Sequence, residues 1–344
     1  MTHEFKKILE THLKAKAKGT KTVLATVVAL DGSSYRRPGV RMLIREDGKM
    51  TGAVSGGCVE KEVFRQSQSV FETDMPKLMT YDGRYRLGCE GVLYILIEPF
   101  LIDPEFYQAF VEAEENRTPF TITSYFGEKE ESSADFGSFI TFSEAKSFGF
   151  SENEVDTTNK KGLNTFSQEL EPSLKLIIIG AEHDAVQLCL MASLCGWEIT
   201  IVASESDPKT LMNFPGAKNI ENLRPEIFDA SIIDDKTAVM LMTHSYTKDL
   251  QYLLKLSGQQ IKYLGILGPS RRREKLFQEL LERLPELDDR FLDNIYGPAG
   301  INIGAETPQE IALSIIAEIL SVFREQTTIP LKEKKGTIHS GVKL

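Results

Sequence analysis

From Leu174 onward the chain alternates short apolar, β-branched runs with helical stretches, and this rhythm constrains the fold more than any other feature. Leu174 to Ile179, Ile199 to Ala203, Ala238 to Thr243 and Tyr263 to Leu267 read as buried strands; residues 184–195, 246–257 and 270–284 read as helices. Strands alternating with helices imply a parallel, doubly wound sheet. The expected fold class is therefore α/β, with a Rossmann-like domain over 173–330. The last helix carries its own start signal: Thr307 at the N-cap, Pro308 at N1 and Glu310 at N3 form a capping box, and Ile311, Ile315 and Ile319 follow on one face. Residues 331–344 are expected to be disordered.

The first of these strands runs into Gly180-Ala181-Glu182-His183-Asp184-Ala185. A dinucleotide site uses glycines here for the tight turn and for close approach of the pyrophosphate, which the helix N-terminus then attracts. Gly180 meets the first need and Ala185 is a tolerated third position, but Glu182 stands at the second glycine. A carboxylate there opposes the pyrophosphate by about 1 kcal/mol or more when partly desolvated. Where an acid should bind the ribose hydroxyls, the chain has Ala203 and Ser204, with Glu205 one or two positions late. NAD is thus an unfavoured ligand, and an NAD(P)-binding oxidoreductase is the alternative reading of function.

The N-terminal half reads differently. Residues 3–18 form a Lys-rich helix, Val23 to Leu30 a buried strand, Val40 to Arg45 and Met50 to Val54 two more strands about a turn at Glu46-Asp47-Gly48, and Val59 to Phe71 a helix. Leu78 to Tyr81 and Val92 to Glu98 are later strands. Residues 1–100 are expected to be an α+β domain. Residues 101–172 are a connecting segment with a helix at 103–116 and strands at Pro119 to Tyr125 and Ser138 to Phe142; its polar end, 151–172, is a linker or an exposed hairpin.

Composition removes several function classes. A chain of 344 residues with 41% hydrophobic and 26% charged residues is an ordinary two-domain globular protein. A net charge of −10 argues against general nucleic-acid binding. No apolar run approaches the ~20 residues of a membrane span, and the first residues lack a signal-peptide core, so a cytoplasmic protein is expected. The four cysteines, Cys58, Cys89, Cys189 and Cys195, form no C-x-x-C pair, which disfavours zinc ribbons and iron–sulfur clusters.

Four arginines, Arg36, Arg37, Arg41 and Arg45, fall within ten residues and make either a solvated strand edge or an anion-binding face. Ser55-Gly56-Gly57-Cys58 follows a strand and precedes a helix, an arrangement that permits a backbone nest for an anion and a thiol of lowered pKa; a tight turn with a small buried thiol is the plainer alternative. Cys89 between glycines is similar, and Glu60 is either a helix-start carboxylate or a ligand contact. Cys189 and Cys195 read as core. His183 and His244 fall at carboxyl ends of parallel strands, where α/β domains place ligands, and Asp249 is placed to orient His244. Arg271, Arg272 and Arg273 either bind phosphate or solvate their helix.

Together, several segments resemble the XdhC/CoxI family of molybdenum-hydroxylase accessory proteins: Ala25-Thr26-Val27-Val28, Arg37-Pro38-Gly39, Ser55-Gly56-Gly57-Cys58-Val59-Glu60, Gly88-Cys89-Glu90-Gly91, the turn at Gly180, Thr243-His244-Ser245, and Gly297-Pro298-Ala299-Gly300. The resemblance implies a chaperone that binds molybdenum cofactor and assists its sulfuration and insertion into a xanthine dehydrogenase-like or CO dehydrogenase-like hydroxylase. That client, a cysteine desulfurase and a second copy of the chain are the partners it implies. The chain is too short to be the hydroxylase itself and lacks its iron–sulfur cysteines; a maturation factor is expected rather than a catalyst. With that cofactor as ligand, Arg37, Arg41, Ser55, Gly56, Gly57, Cys58, Glu60, Cys89, Gly180, His183 and His244 are the residues expected to hold it, with the glycine-flanked Cys58 and Cys89 on one side and His183 and His244 of the Rossmann edge on the other. The chain departs from the family at Glu182 and Ala203, and no metal is assigned.

Overall fold

The buried run at the start of the chain is apolar on both sides because its strand is covered on both sides. A computed structural model describes residues 1–32, 37–57, 59–83, 91–151 and 162–335, and the chain divides into two units, Met1–Pro172 and Ser173–Leu344. In the first unit, α1 (Thr2–Lys16) precedes β1 (Thr22–Gly32), β2 (Arg41–Arg45), β3 (Met50–Gly52), α2 (Glu60–Thr73), β4 (Lys77–Asp82) and β5 (Gly91–Pro99). Then come α3 (Pro104–Glu115), β6 (Phe120–Phe126), β7 (Glu131–Ser132), β8 (Gly137–Ser143), β9 (Lys146–Gly149) and β10 (Asn164–Leu170). One antiparallel sheet has the order β3-β2-β1-β5-β4-β7 and a second the order β10-β6-β8-β9. On β1, Val23, Ala25 and Val27 pack with Val63 and Val70 of α2, while Leu24 packs with Phe5 and Ile8 of α1. The period-2 alternation of a strand sends both sets inward, so the sequence shows no polar face.

In the second unit, β11 (Lys175–Ile179), α4 (His183–Leu194), β12 (Glu198–Ala203) and β13 (Asn219–Asn222) lead to β14 (Thr237–Leu241) and α5 (Tyr246–Leu256). β15 (Tyr263–Ile266), α6 (Ser270–Arg283), α7 (Asp289–Asp293), β16 (Ile295–Tyr296) and α8 (Pro308–Phe323) complete it. The sheet order is β13-β12-β11-β14-β15-β16, and every pair is parallel. Leu176 and Ile178 face the layer of α4 and α8; Ile177 and Ile179 face α5 and α6. This is the expected Rossmann-type α/β architecture, whose connection reverses between β11 and β14. The capping box of α8 is present, with both the Thr307 hydroxyl and the Glu310 carboxylate bonded as the spacing requires.

Four differences from the sequence reading have local causes. Asn164–Leu170, read as linker or exposed hairpin, is β10, an edge strand paired to β6 with only one face covered. β13 and β16 were not anticipated, since Asn219–Asn222 is polar and β16 is two residues long. Cys195 is exposed rather than core, because it is the C-cap of α4, where the chain leaves the packed face; Cys189, one turn and a half earlier, is buried as expected. Within the tail, Leu331–Glu333 makes one turn of 3-10 helix, and residues 336–344 lie outside the described set.

Candidate functional site

In the first unit the glycine loop is braced by the first residue of the helix that follows it. Glu60 accepts the Ser55 backbone N–H at 2.9 Å on one carboxylate oxygen and the Ser55 hydroxyl at 2.7 Å on the other. The same Ser55 Oγ accepts the backbone N–H groups of Gly57 at 3.0 Å and Val59 at 3.2 Å, and so closes the turn that leads into α2. Burial raises the Glu60 pKa, but the bonds from Ser55 and the backbone outweigh it and hold the carboxyl below its ordinary value. Ser55 is buried, whereas Gly56 and Gly57 are exposed, and a Cβ built on either glycine meets nothing within 4 Å. Gly57 has φ +119°, which side-chain-bearing residues rarely adopt. Among the described residues no neighbour requires these glycines to be small, and none covers their backbone. Cys58, Cys89 and Arg36 lie outside the described residues.

The arginines of this unit separate. Arg37 is half-buried at the start of the Arg37-Pro38-Gly39 turn, where its carbonyl accepts the Val40 N–H at 3.5 Å. Arg41 is inside the domain. Its Nη1 donates to the Gly39 carbonyl at 2.8 Å and to Gln168 Oε1 at 2.6 Å, and its guanidinium lies 5.9 Å from the centre of the Phe5 ring. Burial lowers its pKa to about 10 against the opposing charge of Glu98. Glu98 is also fully buried, and burial raises its pKa to about 7 although the N–H and hydroxyl of Ser138 donate to it at 2.7 and 2.6 Å.

The second unit gathers its polar groups at the carboxyl edge of the sheet. Gly180 ends β11 with φ +128°, and a Cβ there would collide with the carbonyl of Met242, so the turns after β11 and β14 pack backbone on backbone. Glu182 is the N-cap of α4 but makes no capping bond with its side chain. His183 follows it and is exposed. His244, at φ +53°, carries its Nε2 4.0 Å from Asp184 Oδ2. Asp249 therefore does not orient His244, as its place in the sequence suggested. It is buried beneath the edge, accepts the Thr243 hydroxyl at 2.5 Å and pairs with Arg272 Nη2 at 2.6 Å.

Asp184 was missed by the sequence reading; the signal was the adjacency of β11 and β14, which brings the first turn of α4 beside the end of β14. Lys248, whose Nζ donates to Ser204 Oγ at 3.1 Å, was missed too. Glu205, weighed as a ribose ligand, is ion-paired with Arg224 at 2.9 Å on the surface. Of the three consecutive arginines, Arg272 joins Asp249, Arg273 lies over the Phe277 ring at 5.6 Å, and Arg271 is exposed. Among the described residues, no group of three or more His, Cys, Asp or Glu side chains is placed to hold a metal ion, and no helix is long and apolar enough to cross a membrane.

Comparison with known proteins agrees with both units. Residues 176–319 match the family described as the XdhC Rossmann domain, and residues 15–82 match the XdhC and CoxI family. The chain is 29% identical over 325 residues to a protein of Bacillus subtilis (strain 168) named as a probable subunit of xanthine dehydrogenase, covering 89% of this chain and 94% of that one. It is 25% identical over 331 residues to the molybdenum cofactor insertion chaperone PaoD of Escherichia coli (strain K12), covering 95% and 91%. A crystal structure described as a xanthine dehydrogenase from Bacillus halodurans superposes with a TM-score of 0.75 at 26% identity, over 94% of this chain and 98% of that one. The two matched segments, in order along one chain that is similar to these relatives over nearly all its length, show that this protein belongs to the XdhC/CoxI family.

Proposed function

We propose that the chain is a maturation factor that binds molybdenum cofactor and assists its sulfuration and insertion into a xanthine dehydrogenase-like or CO dehydrogenase-like hydroxylase. The observation that carries this reading is the loop Ser55–Gly57, held by Glu60 while no described residue approaches a Cβ built on either of its two glycines. Bare backbone of this kind suits close approach of a large anionic ligand, and the residue that follows, Cys58, offers a soft thiolate donor. Cys58, Cys89 and Arg37 are the groups we assign to the cofactor here, with Ser55 and Glu60 fixing the loop. Arg41 acts on the same region from inside, by holding the Gly39 carbonyl. His183 and His244 are assigned as ligand contacts on the Rossmann edge. When bound, the cofactor supplies the dithiolene-held molybdenum that the client needs; the chain's own task is to hold it and shield it from water.

The names of the relatives in Bacillus subtilis and Escherichia coli support this role. A cysteine desulfurase as sulfur donor and a dimer are part of the same proposal. The test is transfer: the chain, loaded with sulfurated cofactor, should restore activity to a cofactor-free xanthine dehydrogenase-type apoenzyme faster than free cofactor does. Equal rates with and without the chain would refute the insertion role. A second reading, nucleotide binding, draws on the strand order and on Gly180 at the reversal between β11 and β14; a saturable change in NADH fluorescence on titration would favour it.

A further inference from the structure

The two sheets of the first unit enclose a polar cluster whose hydrogen bonds the chain itself does not complete. On β1, Thr26 shares the inner face of Leu24, and Arg41 of β2 stands directly opposite Thr26 across the strand pair. Side chains so paired sit side by side, their Cβ atoms about 5 Å apart. Both are buried, Arg41 at 7% and Thr26 at 0% exposed. The Gly39 carbonyl and Gln168 engage Nη1 of Arg41. Its Nε and Nη2, and the Thr26 hydroxyl, are buried without a hydrogen-bond partner. Nε and Nη2 share one edge of the guanidinium, the fork that takes two oxygens of a planar anion side-on. Glu98, opposite Leu24 on β5, lies on the same face but does not fill the fork. Its oxygens are held by Ser138, and no bond joins it to Arg41.

Buried donors are paired almost without exception, and a buried charge is tolerated only when it is compensated. We propose that the Arg41 fork and the Thr26 hydroxyl form an internal site for one small planar oxyanion of the formate, nitrate or bicarbonate class. Water could meet the same donors but would leave the positive charge in place, and the Phe5 ring at 5.9 Å offsets it on one face only. The cluster is closely packed, since a Cβ on Gly39 would strike the Gln168 side chain, so the anion must be small. Glu98 sets when the anion is needed. Burial raises its carboxyl to about 7, so below that value Arg41 faces a neutral group and above it a competing carboxylate. Arg41 and Glu98 are the charged groups of the cluster. From the opposite sheet β6, β8 and β10 bring neutral Ser124, Ser138 and Gln168, and His12 of α1 is turned to Thr22 and Phe100.

This site stands apart from the cofactor assignment, and formate is the probe. Replacing gluconate, which is too large to enter, by formate at constant ionic strength should raise the melting temperature of the full chain saturably. The effect should be strong at about pH 6 and weak at about pH 8, to either side of the Glu98 value. Equilibrium dialysis with labelled formate at the lower pH should count one site per chain. Glu98→Gln removes the competing charge and should bind formate equally at both pH values. Thr26→Val keeps the side-chain shape and should weaken formate about 10-fold, the loss of one hydrogen bond to a charged group. Arg41→Met should abolish the response; if that variant does not fold, the other two still decide. No binding by the wild type, as for a cluster filled by water alone, overturns the proposal. So does an Arg41→Met response equal to that of the wild type, undiminished affinity in Thr26→Val, or a Glu98→Gln variant that keeps the pH dependence.

Discussion

The carboxylate of Asp249 lies 2.6 Å from the guanidinium of Arg272, and this pair ties the start of α5 to the start of α6. The carboxylate side is 2% exposed and the guanidinium side 22%, so the pair is largely removed from water. Removing one partner leaves the other charge buried without compensation. Asp249→Ala is expected to destabilise the protein by about 3 kcal/mol, and Asp249→Ala with Arg272→Met by less than the sum of the single changes. Urea denaturation of the four proteins in a double-mutant cycle measures the coupling.

Gly180→Ala should be disabling although it adds one methyl group. The new Cβ would meet backbone, the Met242 carbonyl, and would have to be carried at φ +128°. Neither a rotamer change nor a small side-chain shift relieves that contact. A loss of about 3 kcal/mol is expected, read as a lowered denaturation midpoint. A variant as stable as the wild type would mean that the turn is looser than described.

Glu98 gives the fold a pH dependence of definite sign. Its ordinary value is 4.5, and burial raises it to about 7 in the folded chain. Between these values the folded state holds a proton that the unfolded chain has released. Stability contributed at low pH is therefore lost as pH rises from about 4.5 to about 7. His12 works the other way: burial lowers it from 6.5 to about 4, so its contribution grows as pH rises through that range. Glu98→Gln removes the first effect and leaves the second. The variant should gain on the wild type from about pH 5 to pH 8, by on the order of 3 kcal/mol at most. Parallel stability-versus-pH curves for the two proteins would contradict this.

Glu60→Ala takes away both bonds to Ser55 and is expected to lower stability by about 1–2 kcal/mol, the range for a lost helix-start interaction. Glu60→Gln keeps an acceptor for the Ser55 N–H and should lose less. Cofactor affinity should fall in the same order, Ala more than Gln, because the glycine loop loses its brace. Calorimetric titration with molybdopterin cofactor separates the two losses.

How much of this was legible in the sequence depended on whether a signal was local. The capping box at Thr307 and Glu310 is a three-residue pattern, and it is present. The β11 run and the turn at Gly180 announced a parallel sheet because both faces of the strand are covered. β13 and β16 carried no such pattern; they exist because a neighbouring strand offers them a parallel edge. Arg41 looked like a member of a basic surface cluster, but its setting comes from Phe5 and Gln168, far away in the chain. The His244–Asp184 approach was likewise hidden, since it follows from strand order rather than spacing. Asp249, nearer to His244 in sequence, turned inward to Arg272.

The loop from Ser55 through Cys58 is proposed to hold the molybdenum cofactor, and equilibrium dialysis tests this most directly. Pterin fluorescence and molybdenum content should show saturable binding by the wild type, and its loss in Cys58→Ser with Cys89→Ser at unchanged thermal stability. Absence of binding by the wild type, or equal binding by the double variant, would contradict the account.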